Sequence, residues 1–126
     1  MNYAYDTENI FAKILRGEIP NTTVVETDHC LAFHDIAPQA PVHILVIPKG
    51  AYVNFDHFAA QATAEEIVDF TKTIKKITST LGVNPDDEGA GYRLISNSGV
   101  DGMQEVPHLH VHILAGKPLG PLVVTA

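Results

Sequence analysis

The sequence predicts an α+β fold: a mainly antiparallel sheet of five short strands with one short and one long helix. Three observations lead there. Apolar residues recur at helical spacing in only two places, and five short runs have the composition of strands. The connections between those runs are too short for repeated helical crossovers, except where the long helix lies. A length of 126 residues suits one compact domain over 1–126.

The first periodic segment follows Asp6 and Thr7, either of which can cap a helix, and sets Ile10, Phe11, Ile14 and Leu15 on one stripe before Gly17. It reads as a short amphipathic helix. Thr23–Glu26 and Cys30–His34 have strand composition and are separated by Thr27-Asp28-His29, which reads as a hairpin. The run 42–47, between Pro41 and Pro48, is rich in β-branched residues and predicts a strand covered on both faces, so that His43 is largely buried. Thr63 and Glu66 form a capping-box pattern, after which Ile67, Phe70, Ile74, Ile77 and Leu81 keep helical spacing up to Gly82. This is the longest helix. Two strands complete the set, over 92–96 and along the histidine run to Ala115, joined by the loop 97–104. The chain has no internal repeat.

Eight Lys and Arg against 15 Asp and Glu leave a formal net charge of −7, which argues against a nucleic acid polymer as partner. A small anion remains compatible, held by backbone N–H groups and histidine. Cys30 is the one cysteine, so no internal disulfide forms and a reducing compartment fits. No apolar run reaches membrane-spanning length, and MNYAYDTEN lacks the features of a signal peptide. A cytoplasmic protein without a membrane partner is the expectation.

The chemistry concentrates in His108-Leu109-His110-Val111-His112-Ile113-Leu114. Alternation in a strand puts His108, His110 and His112 on one face and Leu109, Val111 and Ile113 on the other. Three readings stay open. A zinc site needs three nitrogens about 2.0–2.1 Å from one ion, yet the outer two Cα atoms lie about 13 Å apart, so His43 or Cys30 would have to complete the shell. Alternatively, the histidines simply find hydrogen-bond partners. In the third reading a central imidazole attacks phosphorus through one nitrogen while a partner fixes the tautomer at the other, and a neighbour protonates the leaving group. The Gly-containing stretch 97–105 directly precedes the run and can turn consecutive N–H groups toward an anion.

His-Leu-His-Val-His-Ile-Leu resembles the histidine triad pattern, and the chain around it is similar to the Hint branch of that family over about 110 residues. The matching segments are Ile10-Phe11-Ala12-Lys13-Ile14 with Glu18-Ile19-Pro20, Ala32-Phe33-His34-Asp35-Ile36 with Pro38-Gln39-Ala40-Pro41, and His43-Ile44-Leu45-Val46-Ile47-Pro48-Lys49. Gly91-Tyr92-Arg93 and 97–116 complete them.

The resemblance implies an enzyme that cleaves the P–N bond of adenosine or guanosine 5′-phosphoramidates to the nucleoside monophosphate and an amine, with no metal or other cofactor. By similarity His110 is the nucleophile, His112 the leaving-group partner, and His108 and His43 orient the site. Asp35 matches the carboxylate that binds the ribose hydroxyls. Phe11, Phe33, His34 and Ile36 match the base pocket, and Asn97, Met103, Gln104 and Glu105 match phosphate contacts. The branch forms homodimers with the two sheets joined, the final segment 117–126 often reaching toward the partner's site; the apolar Leu119, Leu122, Val123 and Val124 fit that or packing on their own subunit equally.

Two positions depart from the family. Met103 stands where many relatives have Gly, so a positive φ there would be costly. Glu105 stands where some have Ser, and its carboxylate would repel the substrate phosphate but attract a cationic amine leaving group. Gln104-Glu105-Val106 matches bacterial members. Within enzymes the rival activities are dinucleoside polyphosphate hydrolysis and nucleotidyl transfer. Outside them stand a nucleotide-binding regulatory module and a metal-binding protein.

Overall fold

The computed structural model describes residues 2–124. Helix α1 spans Ile10–Leu15. Its cap is Asn9, not Asp6 or Thr7: the Asn9 Oδ1 accepts from the N–H groups of Phe11 and Ala12, both at 2.9 Å. Asp6 closes the preceding turn instead, accepting from the Glu8 N–H at 2.9 Å.

Strands β1 (Thr23–Glu26) and β2 (Cys30–His34) form the expected hairpin, and β3 (Val42–Pro48) pairs antiparallel with β2. A further short helix, α2 (Phe55–Gln61), precedes the long helix and was not anticipated. Its seven residues span barely two turns, too few for a hydrophobic period to stand out, and it leans on the Asn54 cap. Helix α3 (Ala64–Leu81) carries the predicted Thr63–Glu66 capping box and ends at Gly82 in the left-handed conformation. Strands β4 (Arg93–Ile95) and β5 (Val111–Ala115) complete a five-stranded sheet of order β1-β2-β3-β5-β4, antiparallel at every pairing.

Each face of the sheet covers a different cluster. Cys30, Ala32, Ile44, Val46, Leu109, Val111 and Ile113 pack against Phe70 and Ile77 of α3. Leu31, Phe33, Leu45 and Ile47 pack against Phe11 and Ile14 of α1. Ile47 and Ile113 are completely buried, each contributing about 1.5–3 kcal/mol by leaving water. Among the described residues no helix is long and apolar enough to cross a membrane.

The last ladder begins later than the alternation suggested. β5 starts at Val111, so His108 and His110 precede it. Here the Leu109 N–H turns to the Tyr52 carbonyl at 2.8 Å, outside the sheet, and Pro107 has no N–H to donate. The alternation of faces survives without the ladder: Leu109 joins the α3 cluster, while the rings of His108 and His110 meet the edge of Phe11 at 6.3 and 4.9 Å.

Candidate active site

The register of β3 and β5 sets His43 opposite Leu114 and Leu45 opposite His112. Opposed residues share a face, so His43 and His112 are diagonal neighbours on the α1 side. Their Nε2 and Nδ1 atoms lie 2.9 Å apart. The Gln39 N–H donates to the His43 Nδ1 at 3.1 Å, which leaves that nitrogen without a proton and puts the proton on Nε2. His43 therefore donates to the His112 Nδ1, and neutral His112 carries its own proton on Nε2. The Asp35 Oδ2 lies 3.4 Å from the His43 Nε2, and its Oδ1 accepts from the Ala37 N–H at 2.8 Å.

His110 is oriented by the main chain. Its Nδ1 lies 2.7 Å from the carbonyl oxygen of His108, and a carbonyl can only accept, so Nδ1 holds the proton and Nε2 keeps a bare lone pair. Ser96 in turn donates its hydroxyl to the His110 carbonyl at 3.2 Å. The ring of His108, wholly buried, donates from Nε2 to the Pro48 carbonyl at 2.8 Å.

His110 and His112 line an open hollow of about 230 Å³ with Phe11, Asp35, Gln39, Leu45, Asn97, Met103, Glu105 and Val106. A larger hollow of about 480 Å³ lies by α3, bounded by Phe55, Phe70, Tyr92, Leu94 and Val111. Its walls are mainly apolar, and Lys75 with the hydroxyls of Thr71, Thr78 and Ser96 stands there without a histidine or carboxylate in the lining, so the smaller hollow, where two histidines meet two carboxylates, is the candidate for chemistry.

The arrangement has a family. The HIT domain model matches residues 16–119. The chain belongs to the HIT domain family. Its sequence is 54% identical over 123 residues to an uncharacterized 13.2 kDa HIT-like protein of Azospirillum brasilense, covering 98% of each chain. It is 43% identical over 117 residues to the purine nucleoside phosphoramidase of Escherichia coli K12, covering 92% of this chain and 93% of that one. A histidine triad protein from Clostridium difficile superposes with a TM-score of 0.80 at 43% identity, over 95% of this chain and 100% of that chain.

In this HIT domain, burial decides the charge of the triad. It pushes His108 down to about 4 against the favourable bond to Pro48, and it lowers His110. Burial, reinforced by His110 and His43, also pushes His112 down to about 4. All three are neutral at pH 7. A neutral His110 is what a nucleophile requires. A neutral His112 is a hydrogen-bond donor rather than a stored acid, which modifies the expected role of proton donor. An anionic substrate beside it would raise its proton affinity.

The triad does not converge on one metal position, because both ring nitrogens of His108 are engaged elsewhere. The trio that does come together is Asp35, His43 and His112, whose potential ligand atoms lie within 4.8 Å of one another. Two of the three, His43 and His112, are already hydrogen-bonded to each other, with the Asp35 Oδ2 3.4 Å from the same His43 Nε2.

The expected nucleotide contacts divide. Phe11, Asp35, Asn97, Met103 and Glu105 line the hollow, whereas Phe33 lies behind Phe11 with ring centroids 5.7 Å apart. His34 and Ile36, which flank Asp35, are exposed, Ile36 almost fully. Gln104 is scaffold: its N–H bonds the Gly99 carbonyl, and its Nε2 holds the carbonyls of Val53 and Val106 at 2.7 and 3.0 Å. The Met103 N–H likewise closes the turn to Val100. A phosphate cradle formed by these two N–H groups is therefore not available in this loop. Met103 has φ of 57° and its side chain is largely in solvent, the strained geometry expected where relatives carry Gly. Sequence reasoning missed Tyr5, the Gln39 N–H and the Pro48 carbonyl. Gln39 at least stood in a matched segment, but nothing local marked Tyr5.

Proposed function

We propose that this HIT protein is a hydrolase that cleaves the P–N bond of purine nucleoside 5′-phosphoramidates, adenosine or guanosine, through a nucleotidyl-histidine on His110. The observation that carries the reading is the His110 ring, tied by Nδ1–H to the His108 carbonyl with its bare Nε2 on the hollow. The E. coli relative's activity supports it.

In the first step the His110 Nε2 lone pair attacks the α-phosphorus and the P–N bond breaks, its electron pair leaving with the amine nitrogen. That nitrogen takes up one proton, delivered from solvent through His112 once the bound phosphate has raised its proton affinity. Water then attacks the phosphorus, the P–Nε2 bond breaks, and the proton returns to solvent as the nucleoside monophosphate departs. Asp35 binds the ribose hydroxyls, Phe11 contributes to the base side, and Asn97 contacts phosphate. Glu105, at the other end, favours a cationic amine as leaving group.

The β4 edge carries the homodimer. Leu94 on it and Tyr92 just before it are 45% and 40% exposed, and Phe55 beside the apolar hollow is 56% exposed. An unpaired strand edge with apolar neighbours fits a second copy of itself, joining the two sheets. Kinetics on a panel of adenosine nucleotides differing only in leaving group test the activity. The highest specificity constant belongs to a phosphoramidate. A higher one for a dinucleoside polyphosphate would move the assignment to the rival hydrolase, and the absence of turnover with tight AMP binding would make the protein a binding module.

A further inference from the structure

The N-terminal segment is strapped across the domain by two tyrosines. Tyr3 stacks on His57 with ring centroids 5.1 Å apart and donates its hydroxyl to the Asp56 Oδ2 at 2.6 Å, fastening the segment to α2. Two residues on, the Tyr5 hydroxyl lies 2.6 Å from the Nδ1 of His108, with its ring edge-on to that imidazole at 5.5 Å.

The direction of this bond follows from the other nitrogen. The Pro48 carbonyl takes the proton of the His108 Nε2, so Nδ1 is an acceptor and the phenol must be the donor. Burial raises the Tyr5 hydroxyl above its ordinary range, so it keeps its proton throughout the working pH range. His108 is thus anchored at both ring nitrogens, in the same residue whose main-chain carbonyl holds the His110 proton.

We propose that Tyr5 is a positioning residue for His110: by clamping the His108 ring it holds the His108 carbonyl where it locks His110 in the Nδ1–H tautomer. Without the phenol, a buried nitrogen loses its donor and the ring has reason to turn or to move its proton. The carbonyl, three bonds from the ring, then loses its fixed place. The His110 proton gains access to Nε2, and a ring protonated there cannot attack phosphorus. The inference rests on His110 as nucleophile.

The test is Tyr5→Phe in the full chain, which keeps the ring and removes only the donor. Long-range proton–nitrogen NMR on histidine-labelled protein reads each ring's tautomer without substrate. His110 shifts from pure Nδ1–H to a mixture, and the His108 Nδ1 resonance moves to that of an acceptor without a donor. On an AMP phosphoramidate, kcat falls about 10- to 100-fold, the scale of loss when the groups that orient metal-ligating histidines are removed, while KM and AMP affinity hold. An unmixed His110 tautomer overturns the proposal. So does an unchanged kcat, or a parallel loss of kcat, AMP affinity and folded fraction, which would mark a purely structural tyrosine. Should Tyr5→Phe not fold, 3-fluorotyrosine at position 5 tests the same bond, because its more acidic hydroxyl must shift the His108 Nδ1 resonance, and a static resonance would also refute the clamp. The tautomer result is independent of turnover, so an active His110→Ala enzyme would remove the nucleophile assignment alone.

Discussion

The Nδ1 of His110 donates to the carbonyl oxygen of His108, its neighbour but one in the chain, at 2.7 Å. A main-chain acceptor so close holds one tautomer in a way that no rotating side chain could, and every catalytic expectation for this site descends from it.

If the His110 Nε2 is the nucleophile, His110→Ala has no route to the covalent intermediate. Activity falls by several orders of magnitude on every substrate. His112→Ala loses about 10²–10⁴-fold on poor leaving groups and recovers on good ones, which need no proton. Mass spectrometry of enzyme quenched without acid finds AMP on the peptide bearing His110. An adduct on any other residue would falsify the mechanism.

Asp35, which lines the hollow, is held by the Ala37 N–H at Oδ1 and lies 3.4 Å from the His43 Nε2 at Oδ2. Its bond to the ribose diol is charge-assisted, so Asp35→Asn weakens AMP binding by about 1.5–3 kcal/mol. The same substitution barely affects binding of 2′,3′-dideoxy-AMP. Calorimetry with both ligands on both proteins decides it, and equal losses for the two would count against the ribose contact.

Glu105 borders both the reacting hollow and the neighbouring hollow formed with Val100 and Met103. Glu105→Ser lowers kcat/KM for phosphoramidates of cationic amines relative to neutral ones, with AMP affinity little changed. The ratio of the two specificity constants is the measurement, and a constant ratio would remove Glu105 from leaving-group selection.

Stability should fall in mild acid. The ordinary histidine value is near 6.5, and folding pushes His108 and His112 down to about 4. Above pH 6.5 both states are neutral and full stability is present. Between pH 6.5 and 4 the unfolded chain binds protons that the folded one refuses, so stability is lost as pH falls through that window and levels off below it. His108 contributes on the order of 3 kcal/mol, with His112 adding in the same direction. Urea melts from pH 7 to 4 check this. The slope is shallower in His108→Asn, and an identical slope would mean that carboxylates cause the acid lability.

Charge at the β4 edge should separate the copies. Leu94 is 45% exposed on the single chain, so Leu94→Glu leaves the fold intact and gives a monomer where the native protein sediments as a dimer. A native monomer at micromolar concentration, or a dimer that survives the substitution, would rule out this edge as the interface.

Features that depend on neighbours in the chain were legible in the sequence. The Thr63–Glu66 box, the β1–β2 hairpin, the alternation of His108, Leu109, His110 and Val111 between faces, and the burial of His43 all follow from period and capping chemistry. The short α2 escaped because seven residues hold too little periodicity, and the α1 cap was misplaced because Asp6, Thr7 and Asn9 are all competent caps. The family pattern pointed to His110, but not to which of its ring nitrogens keeps a bare lone pair. An imidazole's proton goes wherever its partners require, and although His110 finds its partner two residues back, those of the other two came from far along the chain: Tyr5 to His108 across 103 positions, Pro48 to His108 across 60, and His43 to His112 across 69. Only the folded sheet and the strapped N-terminal segment bring these distant groups within bonding distance, so tertiary structure decided which nitrogens of His108 and His112 carry a proton.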